Sequence, residues 1–164
     1  MSYVLQDDDI RILQLLQHDA RLTTKEIADK IGKTPTPVYE RIRRMEKEGI
    51  IKGYVALLDR TKVDRGLIGF TLVHLKEHSQ TMLNNFKKES SNFAEVMECY
   101  HMTGEFDFIL KIAIRDMQEY NEFLINKLAT LPNVSTVQSV FVLSEGKVET
   151  AFPLRQPAKT KTKK

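Results

Sequence analysis

Two prolines set two residues apart, Pro35 and Pro37, constrain this chain more than any other local feature. Within a helix interior either would break it. The run TPTPVYERIRRMEK can therefore be helical only if both lie in its first turn. With Thr34 as the cap, Pro35 takes the first helical position, where its missing amide proton costs nothing. The spacing predicts a helix to residue 47, ended by Gly49. Val38, Ile42 and Met45 then fall at i, i+4 and i+7 and make a stripe for a core. On the opposite side lie Thr36, Glu40, Arg43 and Lys47, flanked by Tyr39, Arg41 and Arg44.

Two shorter helices are predicted ahead of it. Asp7, Asp8 and Asp9 precede Ile10, Leu13 and Leu16, with Ile12 and Leu15 beside them, and acidic groups suit a helix amino end. Thr23 and Glu26 stand in the capping-box relation, Ile27, Ala28 and Ile31 give an inward face, and Gly32 ends the second helix. Short helices with a tight turn before the last match a helix-turn-helix, whose final helix enters a DNA major groove. The charge distribution fits. Residues 30–47 hold six Lys or Arg against two Glu, whereas residues 61–154 hold nine basic groups against twelve acidic ones. Arginine can read guanine edges bidentately, and Arg or Lys can neutralise phosphates. The expected DNA-facing set is Thr34, Thr36, Pro37, Tyr39, Glu40, Arg41, Arg43, Arg44 and Lys47. Charge alone leaves open a solvated helix surface in a small bundle.

The segment IIKGYVALLDR, residues 50–60, reads as a strand, a turn at Lys52-Gly53 and a second strand, a wing beside the helices. Residues 61–67 are polar and read as a linker. From residue 68 the apolar period changes from helical to alternating. Strands are expected at 68–75, 94–102, 106–114 and 134–143, and helices at 79–90 and from Asp116, where Glu119 suggests another capping box. The order βαββαβ is the ferredoxin-like arrangement, an antiparallel sheet backed by two helices. Both faces of several strands are apolar, which predicts pairing of chains through the sheet. The fold class is thus α+β: a (winged) helix-turn-helix over residues 1–60, then a ferredoxin-like unit over 68–150. Residues 151–164 end in a basic stretch and are expected to be a disordered tail.

Several functions are excluded or disfavoured. Cys99 is the only cysteine, so no intramolecular disulfide or multi-cysteine metal site exists; it reads as a small buried hydrophobe. His18, His74, His78 and His101 are scattered, without a convincing nucleophile or metal-ligand spacing, so neither catalysis, a metal nor a cofactor is expected. The start lacks a secretory pattern and no apolar run reaches membrane-spanning length, so a cytoplasmic protein is expected.

Three stretches, DDIRILQLLQHDAR, TPTPVYERIRRMEKEGIIKGYVALLD and CYHMTGEFDFILKI, together resemble the leucine-responsive and asparagine-responsive (Lrp/AsnC, feast/famine) transcriptional regulators. The resemblance spans about residues 5–150. It implies a nucleoid-associated DNA-binding regulator that forms homodimers and assembles them into tetramers, octamers or larger rings on semi-palindromic operators. It also implies a free amino acid as effector, bound between subunits by Met102, Thr103, Gly104, Glu105, Asp107, Thr136, Gln138 and Ser139. Glu105 or Asp107 would accept from the ammonium. Amides near Thr103 and Gly104, with the hydroxyl of Thr136 or Ser139, would serve the carboxylate. Effector identity is not implied. An architectural, nucleoid-type DNA-binding protein without an effector is the alternative.

Overall fold

The computed structural model describes residues 3–155. It divides into two compact units, one made by residues up to 57 together with those from 147 onward, the other by residues 58–146.

The first unit holds three helices: α1 (Asp7–His18), α2 (Thr24–Ile31) and α3 (Pro35–Lys47). Thr23 and Glu26 close the expected capping box, and Gly32 ends α2 at φ 69°, a conformation that costs a glycine little. Pro35 opens α3 after Thr34, whose side chain makes no capping hydrogen bond. Ile12, Leu13, Ile27, Ala28, Val38 and Met45 form the core. The aspartate triplet does more than face the helix amino end. Asp8 pairs with Lys33 at 2.9 Å, and Asp9 is fully buried.

Two expectations for this unit fail. Residues 50–59 form no strand, so the wing hairpin is absent among the described residues, and Val55 and Leu57 stand exposed. Gly53 and the lack of a facing strand leave no ladder there; the Ile50 and Ile51 amides donate instead to the Met45 carbonyl, at 2.9 and 3.2 Å. The first residues of the expected tail are docked, not disordered. Phe152 exchanges two hydrogen bonds with the Gln17 amide, at 2.7 and 3.2 Å. Leu154 packs on the helical core and Arg155 pairs with Asp7 at 2.9 Å. The rest of the basic stretch, residues 156–164, lies outside the described residues.

The second unit runs β1 (Leu67–Leu75), α4 (Gln80–Ser90), β2 (Val96–His101), β3 (Phe108–Ile114), α5 (Met117–Asn126) and β4 (Val134–Phe141). The strands pair antiparallel in the order β2-β3-β1-β4, the predicted ferredoxin-like sheet. Val73, Leu75, Phe108, Leu110, Ile112 and Ile114 bury one face against Phe86 of α4 and Phe123 of α5. Strand alternation sends Phe70, Leu72, His74, Ile109 and Lys111 to the other face. Gly69 lies on the helix side, where a Cβ would meet the Phe141 ring at 3.0 Å.

The stretch expected as a linker belongs to this unit. Residues Arg60–Val63 form a 3-10 turn capped by Asp59, Arg60 pairs with Glu145 at 3.2 Å, and Arg65 with Glu119 at 3.1 Å. Asp116 caps α5, but the Glu119 carboxylate accepts from the Arg115 amide and Arg65, and does not close a box on the Asp116 amide. The apolar spacing of Tyr120, Phe123, Leu124, Leu128 and Leu131 implies a longer helix, but α5 ends at Asn126 and Leu128 lies in a separate 3-10 turn.

Candidate functional site

The exposed side of α3 is built by its own periodicity. Val38 and Met45 are buried, while Thr34, Thr36, Pro37, Tyr39, Glu40, Arg43, Arg44 and Lys47 are exposed. Arg43 is held in a defined direction. Its Nε donates to the Tyr39 hydroxyl at 3.0 Å, its Nη1 donates to Glu46 at 3.2 Å, and its guanidinium lies 5.4 Å from the Tyr39 ring centre. The hydrogen bond to Tyr39, then that to Glu46, raises its pKa further, so it is a permanent cation. The Arg44 guanidinium rests over the Tyr3 ring at 4.8 Å.

Arg41 departs from the expected DNA-facing set. Its Nη1 donates to the Asp9 carboxylate at 2.8 Å, and Asp9 also accepts from the Tyr3 hydroxyl and the Gln6 amide. A carboxylate with no solvent contact needs such partners, so Arg41 ties α3 to α1 and turns away from the basic face. Helical spacing placed it at the flank, and only the burial of Asp9 decides which way it leans.

The expected effector residues gather at one end of the sheet, with one exception. The Met102 amide donates to the Asp107 carbonyl at 2.8 Å and closes the β2–β3 turn, whose Gly104 has φ 119°. The Asp107 amide donates in turn to Val73 of β1 at 3.0 Å. His74 of β1 lies opposite Thr136 of β4, and Leu72 opposite Gln138. Asp107, His74 and Thr136 therefore share the open face, beside the turn. Ser139 does not join them. Its hydroxyl accepts from Tyr120 of α5 at 2.7 Å and sits 2.9 Å from the Thr71 hydroxyl, on the helix-covered face.

Asp107 itself is already engaged. One carboxylate oxygen accepts from the Leu75 amide at 2.8 Å, and His78 Nε2 approaches the two oxygens at 3.0 and 3.1 Å. Burial works against its charge, but the Leu75 and His78 hydrogen bonds outweigh it and hold its pKa below the usual carboxylate range. His74 Nδ1 stands 3.2 Å from the same carboxylate. Two of the histidines that look scattered in the sequence are thus neighbours. The spacing His74-Leu-Lys-Glu-His78, at a strand end followed by a turn, was the signal available. No helix among the described residues is long and apolar enough to cross a membrane.

Both units match known families. Residues 7–52 match the winged helix-turn-helix DNA-binding model, and residues 68–152 match the Lrp/AsnC ligand binding domain. The glutamate uptake regulatory protein of Zymomonas mobilis is 38% identical over 150 residues, covering 92% of this chain and 91% of that protein. An AsnC family transcriptional regulator from Agrobacterium tumefaciens superposes with a TM-score of 0.86 at 34% identity, covering 91% and 97% of the two chains. A transcriptional regulator from Neisseria meningitidis, solved as its L-Met complex, does so with a TM-score of 0.86 at 33% identity, covering 92% and 97%.

Proposed function

We propose that this chain, which belongs to the Lrp/AsnC family of transcriptional regulators, binds operator DNA through α3 and answers a free amino acid through its sheet unit. It is a DNA-binding regulator with a ligand-binding domain, and not an enzyme. The observation that carries the DNA reading is the division of α3 into a buried stripe and an exposed face bearing Arg43, Arg44 and Lys47. Arg43, pre-ordered by Tyr39 and Glu46, reads a base edge; Arg44 and Lys47 hold phosphates, and Thr36 meets the backbone near the helix start. Arg41 acts from beneath, as the tie to Asp9.

One such helix covers few base pairs, so specificity comes from presenting it twice on a semi-palindromic operator. The open sheet face, with Phe70, Leu72, Tyr100 and Val140, supports homodimers, which assemble further into tetramers, octamers or rings. The protein works in the cytoplasm, on the nucleoid. The effector is an amino acid held by the Met102–Glu105 turn with Thr136 and Gln138, and a relative's solution as its L-Met complex supports that class.

Binding to selected and to random DNA separates the roles. Arg43→Ala is expected to weaken selected-site binding by about 1–3 kcal/mol while leaving random-sequence binding little changed. Equal loss on both would make Arg43 a phosphate contact, and no loss would remove it from the interface. Thermal unfolding with each of the common amino acids tests the effector, since a ligand of the folded form raises the midpoint by mass action. No shift with any of them would sink the effector reading and leave an architectural DNA-binding protein.

A further inference from the structure

We infer that His74, His78 and Asp107 form a binding site for a divalent transition metal ion, open to solvent on one side. The inference goes beyond the amino-acid reading and does not rest on it. One nitrogen from each histidine and one Asp107 oxygen all lie within 4.8 Å of one another. His74 Nδ1 is 3.2 Å from one carboxylate oxygen, and His78 Nε2 is 3.0 Å from the other. Zinc ligands at about 2.0 Å in tetrahedral array stand about 3.3 Å apart, so the spacing matches the edge of such a site.

A second observation points to a ligand. His74 Nδ1 is buried and makes no hydrogen bond, although it faces the carboxylate at close range. A buried nitrogen that faces a carboxylate without making a hydrogen bond is costly, and a cation between it and Asp107 would use its lone pair. The surroundings are ordered for the purpose. The Leu75 amide fixes one Asp107 oxygen, as outer partners orient metal-bound carboxylates. The loop carrying His78 is pinned by Asn133, whose carbonyl accepts from the Lys76 amide and whose side chain bonds both the amide and the carbonyl of Glu77.

Two imidazoles and one carboxylate select zinc, cobalt, nickel or copper over magnesium and calcium, which prefer oxygen. With three protein ligands and half-exposed histidines, a remaining position stays accessible to water or a small molecule. Asp107 then serves the cation and not the ammonium of an effector.

Chelator-treated, tag-free full-length chain titrated with Zn²⁺ tests this. One equivalent per chain is expected to bind and raise the thermal midpoint, and Co²⁺ is expected to give visible absorption bands of a low-coordinate site. His78→Ala and, separately, His74→Gln should each weaken binding by more than about 100-fold, beyond the cost of losing an outer partner of a ligand. His18→Ala should bind as the parent does. Midpoints without metal report whether each variant folds, and His78 is exposed enough to be replaced without disturbing the core. No zinc-induced shift in the parent chain would overturn the site, as would an undiminished shift in both the His78 and His74 variants. Amino-acid shifts measured without metal report on the effector separately.

Discussion

Each unit builds a polar centre around one aspartate, and the two centres are put to different use. Asp9, at the start of α1, is wholly buried and takes a guanidinium, a phenol hydroxyl and a backbone amide. Asp107, at the start of β3, takes one amide and two half-exposed imidazoles. A permanent cation on a buried carboxylate cannot leave without stranding it, so the Asp9 cluster is a fixed tie between helices. Imidazoles at a solvent edge can turn and exchange partners, so the Asp107 cluster can take up a metal ion. Similar partner numbers thus give a staple in one place and a site in the other.

The comparison can be broken most directly at Arg41. Arg41→Met should cost about 3 kcal/mol in urea unfolding, because it strips the buried Asp9 carboxylate of its guanidinium; a cost under about 1 kcal/mol would mean that Tyr3 and Gln6 satisfy Asp9 unaided. Gly69→Ala tests packing without charge. Its Cβ would press on Phe141 at 3.0 Å and Ile112 at 3.2 Å, and a loss of about 2 kcal/mol is expected. An unchanged midpoint would mean that the Phe141 ring yields freely.

Glu95 and Lys127 form an intermediate case in the sheet unit. Lys127 Nζ lies 2.6 Å from one oxygen of the nearly buried Glu95, and the other oxygen has no partner. Burial opposes the charge of Glu95, yet the hydrogen bond to Lys127, a backbone hydrogen bond and the nearby Lys127 and Arg65 charges together outweigh it and lower its pKa. Its contribution is therefore present above the unfolded value of about 4.3 and lost as pH falls through the lower folded value. Lys127→Met should cost about 1–2 kcal/mol near neutrality, reduced because the lysine is partly exposed, and should flatten the loss below about pH 4. An acid limb identical to the parent's would assign that loss to other carboxylates. At the far end, His78→Ala without metal should change stability by less than about 0.5 kcal/mol. A larger loss would make His78 a staple like Arg41.

Much of this was legible in the residues. Pro35 and Gly49 bracket α3, the Thr23–Glu26 capping box starts α2, and the change of apolar period marks the sheet unit. The wing was misread because strand-like residues at 50–60 do not carry a partner strand with them. The docking of Phe152 and Leu154 was missed since two apolar residues in a polar stretch are too few for periodicity to speak. Gln138 and Ser139 were both expected at the effector site, although strand alternation sends neighbours to opposite faces. Only the pairing of β4 with β1 placed Ser139 beneath Tyr120 and Thr136 beside His74.

The sequence by itself determined where helices start and, α5 apart, where they stop, which stripes go inward, and the order of the six elements of the sheet unit. Those properties depend on residues within one or two turns of each other. What the tertiary structure decided is which distant polar groups meet: Arg41 with Asp9, and His74 and His78 with Asp107. A buried carboxylate must find its partners wherever the packing brings them, and strand register, which local spacing does not encode, sets who stands across from whom.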